Sequence, residues 1–144
     1  NAIKAGAAVL AALPTRDSVL PILCAFAAAR IAGQSLSAHV AGLGLPVAAS
    51  DRIENFPTAT SQSMVAELSN DAAARAAFFE PLGAVANADL TDGLRVTLEN
   101  GDIVHLRPSG NAPELRVYSE AATEADAHDV IARAIARIRQ HTGQ

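Results

Sequence analysis

The residues best suited to chemistry form one run, Arg107-Pro108-Ser109-Gly110-Asn111-Ala112-Pro113-Glu114-Leu115-Arg116. A phosphate group is held by a planar cationic fork, by hydroxyl or amide donors, and by backbone N–H groups converging on one point. This run carries all three. Arg107 offers the fork from the end of a strand, Ser109 a hydroxyl and Asn111 a side-chain amide. Gly110 permits a positive φ that would turn successive N–H groups inward, while Pro108 and Pro113 stiffen the two sides. Each charge-assisted bond contributes about 1.5–3 kcal/mol, so three or four preorganised donors suffice for a sugar phosphate. Taken from the residues alone, the competing reading is a plain turn with Arg107 as a solvated strand end.

Other polar residues point to less. His105 shares the strand face of Arg107, two positions away, and reads as a partly exposed strand histidine. His39, His128 and His141 are scattered. Cys24, on an apolar helix face with no partner base, reads as a small core hydrophobe. No carboxylate pair suggests acid/base catalysis, so no catalytic residue is assigned. One cysteine closes no intramolecular bridge, and no Cys/His cluster has metal-ligand spacing, so no metal site is assigned either. This cysteine usage fits a reducing cytoplasm. With 11 basic against 15 acidic residues, the chain has no polybasic surface for nucleic acid or anionic lipid. The longest apolar run, from Val19 to Ala29, is broken by Pro21 and too short to cross a bilayer.

The elements that must position this loop divide into two groups. Residues 1–49 sum to +2 and residues 50–144 to −6, and helix-breaking residues cluster at Gly42-Leu43-Gly44-Leu45-Pro46. A boundary is therefore placed there, with domains at 1–45 and 46–144. Before it, Asp17 can cap a helix carrying Leu20, Leu23, Cys24, Ala27 and Ile31 and ended by Gly33, and a shorter helix follows over 35–43. Two helices without strands read as the tail of a preceding domain. After the boundary, the pattern predicts a strand over 51–56, one helix over 61–79, a hairpin of 94–98 and 102–106 turned by Asn100-Gly101, a strand over 115–120, and a helix capped by Thr123-Glu124-Ala125-Asp126. Asp129 and Arg133 form an i, i+4 pair on its wet side. The expected fold is α+β, a small, mostly antiparallel sheet with helices on one face.

The loop and the strand after it, through Val117-Tyr118-Ser119-Glu120, resemble the phosphate-binding loop in the last domain of the α-D-phosphohexomutase superfamily, especially the bacterial phosphomannomutase/phosphoglucomutase group. Asp92-Gly93-Leu94-Arg95-Val96, Ser50-Asp51-Arg52-Ile53-Glu54-Asn55-Phe56-Pro57-Thr58 and Leu13-Pro14-Thr15-Arg16-Asp17-Ser18 are similar to corresponding stretches in the same order. The resemblance implies a TATA-binding-protein-like last domain, preceded by the helical end of an α/β third domain. It implies an enzyme that moves phosphate between the C6 and C1 oxygens of a hexose through a hexose 1,6-bisphosphate intermediate. A phosphoserine in the first domain and Mg²⁺ in the second do the chemistry, so this part, holding neither, is expected to be inactive alone and to bind no metal. Carried over by position, Arg107, Ser109, Gly110 and Asn111 contact the non-reacting phosphate, with Arg116 as a further contact. The implied partners are a phosphorylated hexose and the remaining domains of the same enzyme. Where many members have Gly-Thr-Glu-Pro, this chain has Gly110-Asn111-Ala112-Pro113, an amide for a hydroxyl and no acid. A hinge is expected over 45–50, since a phosphate ligand would draw this domain against the others. The alternative from another class is a stand-alone anion-binding or protein-interaction module, its Ala-rich helices packing on a partner.

Overall fold

The computed structural model describes residues 3–5, 8–10 and 18–143, which divide along the chain into two units, one ending at Leu45 and the other starting at Pro46. In the first unit, β1 (Ile3–Ala5) pairs antiparallel with β2 (Ala8–Leu10), a hairpin that the sequence pattern does not announce. Helix α1 (Val19–Ile31) follows, with Ser18 at its N-cap position and Pro21 in its first turn; the predicted cap Asp17 lies outside the described residues. Gly33 takes φ 65° after it, and α2 (Leu36–Ala41) is capped by the Ser35 hydroxyl, which accepts from the Ala38 N–H. Cys24 is exposed, which corrects the expectation of a core thiol. The reason is general to α1: it is apolar all round, and within this chain Ile22, Leu23, Phe26 and Ile31 are exposed while only Ala29 is buried.

The second unit is a five-stranded antiparallel sheet in the order β3-β7-β6-β5-β4, with helices on one face. It comprises β3 (Val47–Glu54), α3 (Thr58–Asn70), α4 (Ala72–Phe79), β4 (Val85–Asp89), β5 (Leu94–Leu98), β6 (Ile103–Pro108), β7 (Glu114–Ala121) and α5 (Glu124–Thr142). Alternation sends Leu94, Val96, Leu98, Val104, Leu106, Leu115 and Val117 to the covered face, where they meet Phe56, Leu68, Phe78, Phe79, Ile131 and Ile138. Thr123 caps α5 as expected, its hydroxyl oxygen accepting from the Asp126 N–H at 3.1 Å, and Asp129 pairs with Arg133 at 3.5 Å. Arg137 donates to the carbonyls of Ala77 and Phe78, satisfying the open carbonyl end of α4, and Arg133 donates to the Pro81 carbonyl in the turn that follows.

Three expectations change. The single helix over 61–79 is two, because Asp71 leaves helical geometry and its carboxylate caps α4 by accepting from Ala73 N and Ala74 N at 2.8 and 3.0 Å. The first strand begins at Val47, and this removes most of the hinge expected over 45–50: residues 47–50 are bonded in register to Ala121–Tyr118. A further edge strand, β4, pairs with β5 through a register shift between Val85 and Asn87.

Candidate functional site

Three connections meet at one end of the sheet: the turn after β3, the β4–β5 turn and the β6–β7 loop. The predicted loop is residues 109–113, between β6 and β7. Its mouth is closed by Ser109 N donating to Glu114 O at 3.1 Å. Glu114 N donates to Ala112 O at 2.8 Å, an i, i+2 bond around Pro113 whose ring-fixed φ suits such a turn. Ser109 is buried, at 5% exposure, and its hydroxyl oxygen faces the Asn111 N–H at 3.4 Å.

Gly110 does not take a positive φ, so the glycine is not there to bend the chain as the sequence reading supposed. The bend is made by the paired mouth and by Pro113. The backbone at Gly110 borders open space: a Cβ built on it would meet nothing within 4 Å. Among the described residues, the backbone N–H groups of Gly110 and Ala112 have no hydrogen-bond partner in the protein.

The open face of the sheet brings a second group together. Cross-strand pairing sets Arg52 opposite Arg116 and Arg116 opposite Arg107, a row of three guanidinium side chains on neighbouring strands. Like charges placed opposite one another repel, and acids occupy the next row. Arg52 bonds Glu54 Oε1 through Nε and Nη2 at 2.9 and 2.8 Å, and lies 3.8 Å from Glu114. Arg116 places Nε and Nη2 both 3.0 Å from Glu114 Oε1. The hydrogen bond to Glu114, then that to Tyr118, raises the Arg116 pKa above its ordinary value. Arg116 is thus beside Arg107, with one edge of its fork already engaged.

Arg107 differs. Its Nε donates to Asp92 Oδ1 at 3.1 Å, and among the described residues its two Nη groups have no hydrogen-bond partner. The loop is also tied from below, where Phe56 N donates to the Pro113 carbonyl at 2.8 Å. Asn55, at φ 54°, makes the turn that delivers this N–H while its neighbour's ring enters the core. Arg52, Asp92 and Phe56 escaped the sequence reading as site residues; the Arg52–Arg116–Arg107 row follows only from register. A groove of about 650 Å³ is lined by residues that include Arg52, Glu54, Arg116, Tyr118 and Arg139.

Among the described residues no three His, Cys, Asp or Glu side chains converge as a metal site requires. No helix among the described residues is long and apolar enough to cross a membrane.

Comparison with known proteins agrees with this architecture. The chain is 50% identical over 131 residues to a phosphomannomutase of Sinorhizobium fredii, covering 91% of this chain and 28% of that protein. It is 34% identical over 140 residues to a phosphomannomutase of Salmonella muenchen, covering 94% of this chain and again 28% of the relative. The chain thus spans little more than a quarter of the length of either relative. The family model described as phosphoglucomutase/phosphomannomutase, C-terminal domain, matches residues 55–137, a range that includes the loop, Asp92 and all three central strands. More than half of the chain is matched, and the chain belongs to the phosphoglucomutase/phosphomannomutase C-terminal domain family.

Proposed function

We propose that Arg107 and the 109–113 loop hold the non-reacting phosphate of a phosphorylated hexose, within an enzyme that interconverts hexose 6-phosphate and hexose 1-phosphate. The observation that carries this reading is the coincidence of unspent donors: the Arg107 Nη groups and the Gly110 and Ala112 N–H groups. Arg107 gives the fork, Asn111 an exposed amide, and the open space beside the Gly110 backbone lets a tetrahedral anion approach it. Arg116 contributes more through its field than through contact, since Glu114 engages its Nε and Nη2 and leaves it fewer free hydrogens than Arg107.

Holding the remote phosphate uses binding energy to orient the hydroxyl at the other end of the sugar, which raises the rate of the chemical step. The phosphoserine, the Mg²⁺ and the turning of a hexose 1,6-bisphosphate belong to the remaining domains in this proposal, so the present chain binds but does not turn over. Those domains would also cover the apolar surface of α1. The single thiol, which closes no intramolecular bridge, is the feature that favours a cytoplasmic setting in this reading.

The test is a titration of the ¹⁵N-labelled chain with mannose 1-phosphate. The amide signals of Gly110, Asn111 and Ala112 shift together and saturate. If they stay in place at millimolar ligand while the fold is intact, the assignment fails.

A further inference from the structure

The β4–β5 turn lies against the root of Arg107, and we propose that Asp92 in this turn is the positioning residue that presents the Arg107 guanidinium to an anion. The proposal rests on the phosphate-binding reading above and adds to it the residue that orders its principal donor.

Four contacts fix the turn. Asp89 Oδ1 accepts from Thr91 N at 2.8 Å and from Thr91 Oγ1 at 2.6 Å, which shapes its first half. Gly93 sits at φ +84°, and a Cβ there would come within 2.4 Å of the Leu106 carbonyl oxygen and 3.3 Å of Arg107 Cα. Only a glycine lets the turn backbone approach β6 so closely at the residue bearing the guanidinium. His105, two residues before Arg107 on the same face, donates from Nε2 to the Asp92 carbonyl. With its backbone held from both sides, Asp92 places Oδ1 against Arg107 Nε.

Which nitrogen is held decides the role. Engaging Nε alone orients the plane of the guanidinium while leaving four Nη hydrogens for a ligand. In Arg52 and Arg116, by contrast, the glutamate takes Nε and Nη2 together, which commits one edge of the guanidinium and leaves fewer hydrogens for a ligand. The Arg107–Asp92 pair is exposed at 43% and 63%, so its contribution to folding is small. Its contribution is to order a long side chain before the ligand arrives, which lowers the loss of freedom on binding. Orientation must outweigh the repulsion between the Asp92 carboxylate and a phosphate, and the two effects separate experimentally.

Asp92→Asn keeps an acceptor oxygen and removes the charge; Asp92→Ala removes both. Inorganic phosphate is titrated into the ¹⁵N-labelled wild-type chain and both variants, following the loop amides, with the Arg107 Nε–H resonance as a readout independent of ligand. D92N binds phosphate at least as tightly as wild type. D92A binds roughly three- to tenfold more weakly than D92N, and its Nε–H signal is lost to exchange while that of D92N persists. Equal affinities in D92A and D92N, or an Nε–H signal unchanged in D92A, overturn the proposal. A wild-type chain that binds no phosphate defeats the functional reading instead, and the Nε–H comparison still decides whether Asp92 orders Arg107.

Discussion

The two ends of the sheet are built from similar materials and finished differently. At one end the β5–β6 turn is closed mainly by its own residues, with one remote tie from Glu99 N to the Ala84 carbonyl at 2.9 Å: the Asn100 amide donates to Asp102 Oδ2 at 2.7 Å, Asp102 N donates to Asn100 Oδ1 at 3.0 Å, and Gly101 takes φ 91° in open space. Thr123 and Asp126 close the start of α5 at this same end, again by partners a few residues apart. At the other end the loop of 109–113 depends on remote segments, Phe56 beneath it and Asp92 beside it, and keeps donors in reserve. A turn that satisfies itself fixes register. One held from outside can leave its own groups free for a ligand.

The sharpest way to break this comparison is to add one methyl group at each end. Gly93→Ala drives a Cβ into the Leu106 carbonyl in addition to the left-handed strain, a loss of roughly 3 kcal/mol or more in denaturant-unfolding free energy. Gly101→Ala, with the strain alone, loses about 1–2 kcal/mol. Equal losses would mean that the β4–β5 turn is no more constrained than the hairpin.

Binding sharpens the contrast next. Arg107→Ala weakens phosphate affinity by about 1.5–3 kcal/mol, tenfold or more, and leaves the thermal midpoint almost unmoved. Arg116→Ala does the reverse, lowering the thermal midpoint slightly as Glu114 loses its closest partner, with phosphate affinity changed less than roughly threefold. Calorimetric titration and thermal unfolding of the two variants separate these outcomes, and equal losses of affinity would return Arg116 to the binding site. At the mainly self-closed end, Thr123→Ala costs about 1 kcal/mol in thermal unfolding through the lost cap, while the loop amides titrate as in wild type.

The smallest effect is acid sensitivity. The Thr91 hydroxyl and then the Thr91 amide hold the Asp89 carboxyl below its ordinary value. A depressed folded-state pKa gives stability that is present above the unfolded value and lost as pH falls through the folded one. Asp89→Asn therefore lowers the thermal midpoint slightly near neutrality and makes no difference once the medium is acid enough to protonate Asp89 in the folded state. A variant whose deficit persists unchanged into that range would assign the effect to something other than this charge.

What could be read in the sequence follows the range of the forces involved. The hairpin of β5 and β6, its Asn100-Gly101 turn and the amphipathic α5 with its Thr123 cap are local, set by alternation, turn chemistry and helical period. The loop was legible by composition, since Arg107, Ser109 and Asn111 carry the donors in one short stretch. Its geometry was not: the bend comes from Pro113 and the Ser109–Glu114 pair, while the Gly110 backbone borders open space. Strand β4, Val-Ala-Asn-Ala-Asp, has little strand propensity and is held by pairing with β5. The α3–α4 break hides because Asn70-Asp71 looks like the polar side of one long helix until the Asp71 cap is seen. The arginine row and the grip of Asp92 on Arg107 are products of register between distant strands, and no spacing along the chain encodes them.

Sheet order also dictates the order in which this end of the molecule can be finished during synthesis. β3 borders β7, with Val47 opposite Ala121, so it leaves the ribosome ahead of α3 through β6 and waits, unpaired, until β7 has followed. The nascent β5–β6 hairpin can zip as soon as Leu106 emerges; the Phe56 support beneath Pro113 cannot engage before β7 arrives. Charged side chains on an edge strand disfavour pairing with a neighbouring polypeptide, and β3 carries Asp51, Arg52 and Glu54 through that interval.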